Sequence, residues 1–177
     1  MIITAVSVGA FAATRASLSD QAVLAVSTFS TGTVELQISK SLSSSPTSGS
    51  FEDISVPGFT DQVLPGHTVS EFFWLKNHSS NNADLDISAQ ATPSGTIDPT
   101  KVTIAFTPVD NTATISGTPT TTFTLSDWSS LPRSLSNTIL HSVNSGRQRY
   151  RMDVSLDSSI STSGSTIFDF VFTGMSL

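Results

Sequence analysis

Apolar and polar residues alternate with a period of two along most of this chain, and that rhythm commits it to β-strands. Val34, Leu36 and Ile38 share one face of a first clear strand. A second covers residues 68–76, with Val69, Phe73 and Leu75 on one side and Phe72 and Trp74 on the other, the pattern of a strand covered on both faces. Leu85, Ile87 and Ala89 mark a third, and Val102, Ile104 and Phe106 a fourth. Ile115, then Phe123 with Leu125, suggest two shorter ones. Tyr150, Met152, Val154 and Leu156 alternate with Arg149, Arg151, Asp153 and Ser155, and Phe168, Phe170 and Phe172 line one face of the last strand. Helical periodicity is scarce. Only SDWSSLPRSLSNTIL at 126–140 offers a helical turn or two, and its serines and Pro132 bar a long helix.

Turn-forming clusters separate the strands: SLSSSPTSGS at 41–50, VPGF at 56–59, NHSSNN at 77–82, TPSGTIDPT at 92–100, SGTPTT at 116–121 and SSISTSGS at 158–165. In VLPGH, Pro65 fixes φ and Gly66 permits a positive φ, a structural turn that delivers the chain into the 68–76 strand in register. The chain has 177 residues, enough for one domain with a proper core, and shows neither an internal repeat nor a linker. These features predict an all-β fold: a single antiparallel β-sandwich of jelly-roll type with at most short helical turns.

Composition narrows the function. Charged residues are 12% of the chain and the net charge is −6, which leaves nothing to neutralise a nucleic-acid backbone. Arg133, Arg147, Arg149 and Arg151 are the one basic grouping, read as a solvated strand face rather than an anion site. Ser and Thr make up about a third of the residues, so the surface stays wet through hydroxyls, a habit of exported all-β proteins. Cysteine is absent, which removes thiol catalysis and Cys-ligated metals. His67, His78 and His141 are isolated, and no HExxH, GxSxG or phosphate-loop pattern occurs. Asp84 and Asp86, beside Asn81-Asn82, have the spacing of a cation pair, but an outward polar face is the preferred reading. Asn77-His78-Ser79 is a glycosylation sequon and reads as an exposed turn. No catalytic residue, cofactor or metal site is expected.

The first 16 residues contain IITAVSVGAFAA, the length of a signal-peptide hydrophobic core and too short to span a bilayer. Thr14 and Ala16 supply small residues for cleavage before Ser17, although no basic residue precedes Ile2. The expected product is a secreted, cell-surface protein that meets a membrane only through that segment. The organisation expected is therefore 1–16 signal-like, 17–30 an N-terminal arm, and 31–177 the sandwich. The arm, SLSDQAVLAVSTFS, is apolar through QAVLAVSTF and strongly β-prone, which is a liability for a monomer.

Three segments in order resemble the TasA/camelysin family of exported matrix-fibre proteins, related to archaeal bundling pili. SLSDQAVLAVSTFSTGTVELQIS is similar to the family's mature N-terminus, with Ser19-Asp20 and then Phe29-Ser30-Thr31-Gly32-Thr33 leading into a strand. VLPGHTVSEFFWLKNHSSNNADLDISA is similar to its Leu-x-Pro-Gly-Asp signature, with His67 where an acid is usual. YRMDVSLDSSISTSGSTIFDFVFTG looks like its closing hairpin, and residues 92–145 remain unplaced. The resemblance implies a non-enzymatic subunit of an extracellular fibre or pilus, whose partners are other copies of itself. It implies polymerisation by donor-strand complementation, for which Val23, Leu24, Val26 and Phe29 are the candidate anchors. A camelysin-like peptidase is the enzymatic alternative it carries. A monomeric adhesion domain, or a pilin that keeps its apolar N-terminus as a helix, are the other readings.

Overall fold

A computed structural model describes residues 19–24, 35–39, 63–80, 83–141, 146–161 and 164–177. Its elements in chain order are β1 (Ser19–Leu24), β2 (Leu36–Ser39), β3 (Thr68–Asn77), β4 (Leu85–Gly95), β5 (Val102–Val109), β6 (Phe123–Thr124), α1 (Leu125–Ser130), β7 (Arg133–Ile139), β8 (Arg147–Leu156) and β9 (Thr166–Ser176). A 3-10 turn, Pro99–Lys101, leads into β5. The strands form two antiparallel sheets, in the orders β1-β9-β4-β7 and β2-β3-β8-β5-β6. Only β2 to β3 and β5 to β6 stay within one sheet, and every other connection passes from one sheet to the other.

The predicted alternation is what builds the common core. Phe73 and Leu75 of β3, Ile104 and Phe106 of β5, Tyr150 and Met152 of β8, and Phe170 and Phe172 of β9 are all buried. Large and small residues complement each other across the β4–β9 ladder, where Ala89 lies opposite Phe172 and Ala91 opposite Phe170. The space those alanines leave is taken by rings: Phe106 meets Trp128, Phe170 and Phe172 edge-on at centroid separations of 5.2, 5.1 and 5.8 Å. Gly174 makes room for a side chain of the neighbouring strand, because an added Cβ there would sit 3.0 Å from Leu85 Cδ1.

The helical expectation for 126–140 holds only for its first part. Thr124 caps α1 and forms a capping box with Asp127, the Thr124 hydroxyl accepting from Asp127 N at 3.0 Å. The helix seats Trp128, whose Nε1–H donates to Ile104 O at 3.1 Å. It stops before Pro132, and the alternating residues beyond become β7. Ile115 forms an isolated bridge to Val109 rather than a strand, and Leu125 opens the helix.

Aspartates tie down the turns at the ends of the sheets. Thr100 donates to Asp98 from both its N–H and its hydroxyl, and Thr112 does the same to Asp110, with Thr114 N–H adding a third bond. Asp157 accepts from Ser159 N at 2.7 Å. These donors, with the Thr124 hydroxyl at Asp127, hold all four carboxyls below the ordinary aspartate range. Burial pushes the Tyr150 phenol far above its usual range; the Asn137 side chain moderates this without forming a hydrogen bond of ordinary geometry.

Candidate assembly edge

Among the described residues the two sheets have four edge strands, and an edge is where a second chain can add. Three of the four are blunted. β2 has four residues and β6 only two. β7 carries a bulge: between Asp86 and Ser88 of β4 the register on β7 jumps from Thr138 to Ser134. The fourth edge is β1, which pairs with β9 in unbroken register from Ser19 opposite Met175 to Leu24 opposite Phe170.

The hydrogen-bond phase of β9 follows from its two ends. Thr96 N donates to Ser165 O at 2.8 Å and Leu177 N to Asp84 O at 3.1 Å, so odd-numbered residues of β9 turn their backbone groups toward β4. Even-numbered residues turn theirs toward β1. Asp20, Ala22 and Leu24 therefore meet Gly174, Phe172 and Phe170 as hydrogen-bonded pairs. β9 is described over 11 residues and β1 over six. Thr166 and Phe168 accordingly present N–H and C=O groups to the β1 side with no strand partner among the described residues.

Of the candidate anchors, Val23 and Leu24 fall on β1, opposite Val171 and Phe170 of the same chain, while Val26 and Phe29 lie outside the described residues. The signal-like segment 1–16 lies outside them as well. Pro65 and Gly66 form the central pair of a turn in which His67 N donates to Leu64 O at 3.0 Å. Gly66 has φ +76°, the type II geometry that glycine allows without strain. The alternating Phe168, Phe170 and Phe172 marked β9 as a core strand in the sequence, but nothing there indicated that it would pair with residues 19–24.

Other expectations are corrected. Asn77 of the sequon is not exposed: it is 2% accessible, and its Nδ2 donates to Ala83 O at 2.7 Å and Ile139 O at 3.2 Å. Its Oδ1 accepts from Ser79 N at 3.1 Å, so the amide is occupied in tying β3 to the start of β4 and the end of β7. The basic grouping is a solvated face only in part, since Arg147 and Arg151 are half-buried. Arg149 is buried, with its guanidinium 4.5 Å from the Phe72 ring and 5.9 Å from the Trp74 ring. Arg133 stands apart on β7, 3.9 Å over Phe123. Asp84 Oδ1 accepts from His141 N and Asp86 Oδ1 from the Thr138 hydroxyl, so both serve the β4–β7 junction.

His67 and His78 are exposed. Among the described residues no group of three or more His, Cys, Asp or Glu is placed to hold a metal ion, and no helix is long and apolar enough to cross a membrane. Comparison with family models, with curated proteins and with solved structures gives no match.

Proposed function

We propose that this chain is a structural, non-enzymatic subunit of an extracellular fibre, in which β1 of one copy completes the sheet of the next. The β1–β9 edge carries this reading, as the one regular edge among the four that the described residues form. Its three narrow pairs supply six backbone bonds at about 1 kcal/mol each, against about 1–2 kcal/mol per residue to order the strand. A strand so close to balance is detachable. The identical strand of a second copy remakes every contact of the resident one, so exchange costs little. Passing β1 head to tail does not close into a ring and yields filaments. The sheet orders and the sheet-to-sheet connections support the jelly-roll topology that the TasA/camelysin resemblance implies. Cleavage after Ala16 would free the arm outside the cell.

The pairing of β1 within its own chain favours a second reading, a monomeric surface domain that keeps its first strand. Removing residues 17–30 separates the two. For a fibre subunit, electron microscopy shows filaments of the intact chain and none after the deletion, and a synthetic 17–30 peptide restores the thermal midpoint without restoring filaments. Filaments that persist after the deletion, or an intact chain that sediments as a monomer at every concentration, refute the proposal.

A further inference from the structure

We infer that Thr120 is a guard residue: its hydroxyl clamps residues 115–124 over the outer edge of β5, so that a second copy cannot pair there. The inference concerns the five-stranded sheet and holds whether or not β1 exchanges between copies.

β5 needs such a guard. It is eight residues long and pairs with β8 along its whole length, while β6 on its other side covers only Thr103 and Ile104. On that outer side the even-numbered residues turn their backbone groups outward: Phe106 O accepts from Thr120 N at 2.8 Å and Pro108 O from Ser116 N at 3.0 Å. Pro108 has no N–H to offer. Phe106 is therefore the position beyond β6 at which an incoming strand would find both a donor and an acceptor. Thr120 occupies both. Its hydroxyl accepts from Phe106 N at 2.8 Å and donates to Phe106 O at 3.1 Å, and Thr120 is 6% accessible. One side chain thus satisfies the backbone groups that a neighbouring strand would take.

The covering segment is a poor template in its turn. From Ser116 to Thr120 it takes four steps where β5 takes two, and from Thr120 to Phe123 three steps against two, so its own outer side carries no regular ladder. Pro119 adds a position without an N–H. Gly117 lets the segment close on β5, since an added Cβ there would sit 3.2 Å from Cβ and Cγ of Pro108.

The test uses the full-length chain as wild type, Thr120→Val, Thr120→Ser and Asn77→Ala, each with and without excess 17–30 peptide. Amide hydrogen exchange reads the clamp, and sedimentation reads association. Valine keeps the shape of threonine and lacks the hydroxyl, so the Phe106 amide is expected to exchange at least about tenfold faster. The folded Thr120→Val chain is expected to gain association that the peptide does not suppress. Thr120→Ser keeps the hydroxyl, and Asn77→Ala is destabilised with the cover in place; both are expected to associate as wild type does. An unchanged Phe106 exchange rate overturns the clamp. Faster exchange without new association overturns the guard role, and so does association of equal extent in Asn77→Ala. New association that the peptide abolishes belongs to the β1 edge; it overturns the guard and leaves the fibre reading standing. Should Thr120→Val not fold, Thr120→Ala removes the same hydroxyl from a smaller side chain and is read by the same measures.

Discussion

Replacing Asn77 with Ala tests the sandwich at a point where the local sequence suggests an exposed sugar-acceptor turn. The structure places the amide in the interior, donating to Ala83 and Ile139 carbonyls and accepting from Ser79 N. Three side-chain bonds at about 1 kcal/mol each put the loss near 3 kcal/mol. With a urea slope of about 2 kcal/mol/M, the denaturation midpoint falls by about 1.5 M at unchanged slope. The thermal midpoint drops by about 6–12 °C, at about 2–4 °C per kcal/mol for a domain of this length. Asn77→Asp sharpens the test. It keeps the acceptor but turns a carboxylate oxygen toward two carbonyls, so it should destabilise at least as much as Ala. Ser80→Ala, on the exposed turn nearby, should shift stability by no more than about 0.5 kcal/mol. A loss below about 1 kcal/mol for Asn77→Ala, or an Asp variant firmer than the Ala one, would refute the clamp.

Phe106→Ala removes the hub of the aromatic cluster and should cost about 3–5 kcal/mol by urea denaturation, whereas Ile167→Ser, at an exposed position, should leave stability within about 0.5 kcal/mol. Gly174→Ala forces a methyl group 3.0 Å from Leu85 Cδ1 and should cost about 1–3 kcal/mol, a penalty that Leu85→Ala in the same chain should partly relieve. Asp110 has its carboxyl pKa lowered in the fold from 3.8, so the stability it contributes is present above the unfolded-state value and is lost as pH falls through the folded one. The stability gap between wild type and Asp110→Asn should therefore be widest near neutrality and shrink toward zero in acid; a gap independent of pH would contradict this.

Much of the architecture was legible because strand faces are written locally. The inward residues of β3, β5, β8 and β9 can be read directly from alternation, and the Leu64–His67 turn from a Pro-Gly pair whose conformational limits need no tertiary context. The 126–140 stretch was less legible. A capping box and a proline compete within a few residues there, and only the packing of Trp128 against Phe106 and Phe170 decides where the helix yields to β7. The candidate site was half legible: the apolar run that contains β1 stood out, while the pairing of β1 with β9 did not.

The sequence by itself determined which residues share a face and where the chain must turn, since both depend on backbone geometry over two to four neighbours. Tertiary structure alone decided who pairs with whom. Residues 20 and 174, or 77 and 139, meet only once distant strands have assembled. Burial of a polar group depends on those distant neighbours, which is why Asn77 and Arg149 looked like surface residues in the sequence and lie inside the fold. The place of β1 beside β9 is of the same kind, because a strand's neighbours are set by the whole sheet and not by its own residues.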